Sequence, residues 1–121
     1  MVQSIRIAPT NSLIFVSDSD GGVGPDFVRG LSILSTSSCI SVACLMWQDG
    51  ETELTLGPAN RVDPGGIPAF DGSLETPNRA VIVSTVERRT VLSANVPDRR
   101  TRVRIWTNRV QEPDVVIVGL G

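Results

Sequence analysis

Few side-chain types in this 121-residue chain are able to do chemistry, and the missing ones narrow the field first. His, Lys and Tyr are absent, and every cationic side chain is an arginine. Without His no side chain titrates near neutral pH unperturbed, and the commonest general base and zinc ligand is gone. Ser-His and Cys-His nucleophile pairs are excluded, as are Ser-Lys and Schiff-base chemistry. Carboxylates, guanidinium groups, hydroxyls and two thiols remain. A hydrolase working through carboxylates is the one enzymatic reading left, and it ranks below a binding role. No catalytic, cofactor-binding or metal-ligating residue is assigned.

The strongest constellation is Arg99, Arg100, Arg102, Arg104 and Trp106. The last three alternate onto one face of an extended segment, which sets two guanidinium forks beside an aromatic ring. Such a group suits an acidic partner, a phosphate or a stacked base. The competing reading is a solvated outer strand protected from aggregation by its charge. Trp106 is the only aromatic near these arginines, which disfavours nucleic acid as the partner. Arg102, Arg104 and Trp106 are the partner-binding candidates, for an acidic macromolecule or a second copy's acidic edge at Glu51 and Glu53, with the solvated strand as the competing reading.

Three further groups carry less. Asp18, Asp20 and Asp26 present oxygen ligands in a glycine-rich loop, but the twelfth position counted from Asp18 is Arg29 where a calcium loop needs Glu. An Asx-rich turn between strands is the simpler reading. Cys39 and Cys44 stand five apart, so one extended strand points them to opposite faces and they do not bridge within it. They read as small buried apolar residues of a reducing compartment. Gly21, Gly22 and Gly24 form no phosphate-binding fingerprint.

The elements that position these groups read as strands. Arg79 to Thr107 is expected to be three consecutive strands, with Val81 and Val83 alternating against Ala80, Ile82 and Ser84. Glu87-Arg88-Arg89 and Pro97-Asp98-Arg99-Arg100 supply its turns. Val103 and Ile105 face one way; Arg102, Arg104 and Trp106 face the other. Ser4–Ala8, Ser12–Asp18 and a segment from about Leu31 are further strands, with at most one helical turn before Leu31. Cys39 to Leu56 reads as a hairpin turning at Asp49-Gly50. That register puts Ala43, Leu45 and Trp47 opposite Leu56, Leu54 and Thr52 on the core face. Gly57 to Asn78 reads as a 22-residue connection pinned by Ile67 and Phe70. Asp114 to Leu120 is the final strand.

Bulk properties agree. At 121 residues with 40% apolar content the chain has enough material for one domain with its own core. Residues 1–60 hold two Arg against six Asp and Glu, a balance of −4, while residues 61–121 hold nine Arg against seven, a balance of +2. No signal peptide is visible at the start, and no apolar run approaches membrane-spanning length, so the expected location is cytoplasmic. Strands apolar on both faces, Leu13–Val16 and Val115–Val118, need covering, and a homodimer is one simple way to cover them.

The order of SLIFVSD at 12–18, LSIL at 31–34 leading into CISVACLMWQDGETEL, SLETPNRAVIVST at 73–85 and TVLSANVPDRRTRVRIW at 90–106 resembles the competence protein J family of bacterial proteins. The resemblance spans most of the chain. It implies a small β-sandwich without a catalytic site, and it allows binding to a nuclease, as the competence protein does in inhibiting the DNA-entry nuclease. The fold expected is all-β: a single β-sandwich or flattened barrel over residues 1–121, with seven to eight mostly antiparallel strands and at most one short helix. The function expected is non-catalytic protein binding without a cofactor. A self-assembling subunit is the structural alternative.

Overall fold

The computed structural model describes residues 2–121, and in it ten strands form two stacked five-stranded sheets. One sheet contains β1 (Gln3–Ile7), β5 (Thr52–Pro58), β10 (Val115–Leu120), β9 (Arg100–Thr107) and β6 (Phe70–Glu75), in that spatial order. The other contains β3 (Ile33–Ser35), β4 (Cys39–Ala43), β2 (Leu13–Ser17), β7 (Ala80–Thr85) and β8 (Thr90–Asn95). Every neighbouring pair is antiparallel except β5 with β10, which run parallel. A four-residue helix, α1 (Ala59–Val62), follows β5. The sheets are open at their edges, so the fold is a sandwich, as the strand-rich pattern predicts, and not a barrel.

The core is what period-two alternation dictates. Ile14, Val16, Ile40, Val42, Val81 and Val83 from one sheet meet Leu54, Leu56, Leu74, Val103, Ile105, Val116 and Val118 from the other, all buried. Cys44 joins this cluster, whereas Cys39 is buried on the opposite side of its strand beside Phe15 and Ile82. Both thiols are free.

Three expectations about connectivity are corrected. The segment from Arg79 to Thr107 is not one meander: β7 and β8 pair as a hairpin, but β9 belongs to the other sheet. The Pro97–Arg99 link carries the chain across, held by Thr76 Oγ1 donating to Asp98 O and Thr76 N donating to Arg99 O. Cys39 to Leu56 is likewise not a hairpin. Trp47–Asp49 curls into a 3-10 turn closed by Asp49 N on Met46 O at 2.8 Å. Among the pair only Gly50 takes a positive φ, +139°, while a type I′ turn needs both positions there. The chain thereby passes from β4 in one sheet to β5 in the other. The core face of β5 is Thr52, Leu54 and Leu56 as expected, but that of β4 is the reverse of the expected one: Ile40 and Val42 point inward and Trp47 lies in solvent. Lastly, the stretch read as a connection from 57 to 78 contains β6, an edge strand along β9 that buries Leu74 and sets Asp71, Ser73 and Glu75 outward. With β6 the strand tally is ten, above the seven to eight expected. No helical turn forms between residues 26 and 32.

Candidate partner-binding surfaces

On the outer face of its sheet, β9 presents Arg102, Arg104 and Trp106, as its alternation requires. The structure brings the three together but engages each of them within the chain. Arg102 makes two hydrogen bonds to Asp71 across the β6–β9 ladder, Nε to Oδ1 at 3.0 Å and Nη2 to Oδ2 at 2.7 Å. The hydrogen bond from Arg102 outweighs the opposing effect of burial and, helped by the weaker pull of the Arg102 and Arg104 charges, holds the Asp71 carboxyl below its ordinary value. The same bond raises Arg102. Arg104 donates Nη2 to Gly121 O at 2.8 Å and lies over the Trp106 ring, 5.8 Å from its centroid. Its Nε is buried without an acceptor.

Trp106 itself is only 4% exposed, so the outward aromatic is roofed over and not presented to solvent. The roof is the segment that follows β5. Ala59 of α1 packs over Gly119, where an added Cβ would come within 2.8 Å of Trp106 Cζ3 and 3.1 Å of Ala59 Cα. The indole Nε1 donates to Gly66 O at 3.4 Å. Glycines at 57 and 119, side by side on β5 and β10, leave the room that the ring and α1 fill. The chain thus covers part of the outer face that double-sided strands such as Val115–Val118 need covered.

Asp18 is buried at the end of β2 and does not offer its carboxylate to a cation. It accepts Asn78 N at 2.9 Å, Asn78 Nδ2 at 2.6 Å and Asp20 N at 3.2 Å, which pins the glycine-rich loop to the β6–β7 turn. Burial on its own raises this carboxyl, but the bonds from Asn78, Asp20 and Ser19 outweigh it and the pKa falls below 3.8. A general acid needs the opposite shift. The thiols are no more available. Burial pushes Cys39 up to about 11 and Cys44 up to about 12, in the latter against a weaker lowering by Thr52. Among the described residues no group of three or more Cys, Asp or Glu is placed to hold a metal ion. No described helix is long and apolar enough to cross a membrane.

A second surface escaped the sequence reading. At the end of the sandwich where β4 finishes and β10 begins, three loops meet. Ala43 N donates to Ser32 O at 2.8 Å, Ser32 Oγ to Val110 O at 2.7 Å and Leu45 N to Pro113 O at 2.9 Å. These loops expose Phe27 (81%), Val28, Leu31, Met46, Trp47 (57%) and Val110 (80%). Single exposed apolar residues are ordinary, but six on adjoining loops are not. Alternation could not reveal them, because loop side chains follow no period.

No family model matches this sequence, and no curated protein matches it either. Two solved structures share its architecture. One is ComJ from Bacillus subtilis, inhibitor of the DNA degrading activity of NucA, with a TM-score of 0.66 at 10% identity over 99% of this chain and 97% of that one. The other is the product of crocagin biosynthetic gene J, with a TM-score of 0.51 at 12% identity over 98% and 94%. At such identities the likeness is one of fold, and over nearly its whole length this chain has the two-sheet fold of ComJ, in keeping with the resemblance its strand order carries.

Proposed function

We propose that this chain is a non-catalytic protein-binding module of the nuclease-inhibitor kind. The observation that carries this reading is the end-to-end fold likeness to ComJ, itself an inhibitor that acts on another protein. The state of the reactive groups supports it. Asp18 and Asp71 are held ionised by hydrogen bonds, the thiols are buried, and Arg102 is ion-paired. An inhibitor needs a shaped surface, not a titrating group, and a chain without His or Lys is compatible with that. The setting is taken to be the cytoplasm.

The direct test is to immobilise the purified chain, load native-host extract, and assay the retained fraction for DNA degradation before and after adding excess free chain. The reading expects a retained nuclease whose activity falls in proportion to added chain. Turnover of a substrate by the chain alone, abolished by one Asp→Asn change, would replace it with the carboxylate hydrolase.

A second contact surface on the same module is the β9 face of Arg102, Arg104 and Trp106. The Arg102 side chain keeps 55% of its surface exposed despite its bond to Asp71, so an acidic partner is able to compete for it. Arg102→Ser with Arg104→Ser tests this: loss of the retained partner assigns the face, and unchanged retention removes it. Self-association is the structural alternative, and a species at 12.9 kDa in light scattering at micromolar concentration counts against it.

A further inference from the structure

The loop end of the sandwich combines two properties that a solvated surface does not need together. Its centre is apolar, with Leu31, Met46, Trp47 and Val110 exposed. Its margin is acidic. The three loops, 26–32, 44–51 and 108–114, carry Asp26, Asp49, Glu51, Glu112 and Asp114 against Arg29 and Arg109. The first four of these acids are exposed, and among the described residues none of the four forms an ion pair. Arg109 Nε is committed to Glu112 O at 2.9 Å, and Asp114 accepts Asn108 Nδ2 at 2.6 Å. The basic Arg88-Arg89 turn belongs to the β7–β8 edge of the same end, separated from these loops by β2.

The turn that carries Met46 and Trp47 is also held in place. Trp47 sits in the turn closed by Asp49 N on Met46 O, and Ser12 Oγ lies 3.7 Å from Met46 Sδ. Preorganised aromatic and methionine side chains with a charged margin are the anatomy of an interface centre and its rim. The sign of the margin selects the occupant. A second copy docked about a two-fold axis would set this acidic rim against itself, and nucleic acid or an anionic lipid surface would be repelled.

We propose that this end is the seat for a basic protein surface with an apolar centre. Trp47 and Val110 are its anchors, and Asp49, Glu51 and Glu112 steer the approach. The proposal rests on the protein-binding reading and names the surface and the chemistry of the partner. Unpaired carboxylates around the anchors raise the association rate with a cationic partner and lose that effect as salt rises.

Intrinsic fluorescence tests it, since Trp47 is exposed and Trp106 is buried and serves as a constant background. The probe is a synthetic peptide of alternating Arg and Leu, free of aromatics, titrated into the whole chain at low salt. The proposal expects a saturable blue shift of the Trp47 emission that weakens with added salt and is missing with the matching Glu–Leu peptide. Asp49→Asn, Glu51→Gln and Glu112→Gln together should weaken binding by about tenfold or more, and Val110→Ser should weaken it in the same direction by removing an anchor. All are exposed positions, so the fold is expected to survive. An equal shift with the acidic peptide, no saturable shift, or full binding by the triple variant overturns the proposal. The underlying reading is judged separately. A host nuclease retained equally by wild type and by Val110→Ser with Trp47→Ser keeps the protein-binding role and rejects this seat. A basic peptide that seats on Trp47 while no nuclease is retained or inhibited keeps the seat and rejects the nuclease reading.

Discussion

The two tryptophans occupy opposite situations in one small fold. Trp106 leaves β9 on the solvent side of its sheet, yet it is closed in by Ala59, by the bare backbone of Gly119 and by a hydrogen bond to Gly66 O. Trp47 stands on a turn between the sheets with more than half its surface free. The register of a strand fixes only the side to which a ring points. What the chain then lays over that side decides whether the ring stabilises the fold or is left for a partner. Trp106 is a structural residue by this measure and Trp47 a surface one.

Substitution separates them most sharply. Trp106→Ala should cost about 3–5 kcal/mol, because it empties a site that α1 and the two glycines are shaped around. Trp47→Ala should change stability by no more than roughly 0.5 kcal/mol, as for other surface changes. Urea unfolding of the two variants checks this, and equal losses would mean that the roof over Trp106 is not packed as described.

The next effect contrasts Asp18, buried, with the exposed acids of the loop end. Asp18 binds two donors of Asn78, so Asp18→Asn should cost about 1.5–3 kcal/mol, the usual loss for a hydrogen-bonded charged group. Its pH dependence has a definite sign. The folded pKa lies below the ordinary 3.8, so the unfolded chain binds protons first as pH falls. The stabilisation is complete above the unfolded value and drains away as pH drops through the folded one. Wild type should therefore lose stability below about pH 4 more steeply than Asp18→Asn does. Parallel curves from chemical unfolding between neutral and acid pH would dissociate Asp18 from that loss.

The same contrast explains how much was legible beforehand. Strand interiors such as Val81–Val83 and Val103–Ile105 were readable because burial on one face writes a period of two into the sequence. The partner of each strand was not. Asp49-Gly50 carries a strong local hairpin signal, but Leu45 N and Glu53 N are taken by Pro113 O and Asp114 O of the segment that leads into β10, the strand beside β5 in its sheet. β6 was hidden because Gly72 and its polar outward residues lack strand character, and its pairing with β9 supplies what propensity does not. For the sites, the grouping of Arg102, Arg104 and Trp106 followed from alternation, while the roof over Trp106 comes from residues 59–66, some forty positions away. The apolar loop end left no periodic trace at all.

The smallest effect concerns the arginine face. Arg102 and Asp71 are both largely in water, where an ion pair gains little over hydration and is screened by salt. Arg102→Ser should leave the unfolding midpoint at neutral pH close to that of wild type, even though it removes two hydrogen bonds of good geometry. The loss should register instead on the partner's titration. The hydrogen bond from Arg102 is the main reason the Asp71 carboxyl lies below 3.8, with the charge of Arg104 a lesser one. Removing Arg102 should move that carboxyl back up, and Arg104→Ser should move it in the same direction by less. Side-chain carboxyl shifts followed by NMR across the acid range measure both. An Asp71 that titrates identically in wild type and Arg102→Ser would mean that the pair is open in solution, with the guanidinium free for an acidic partner to take.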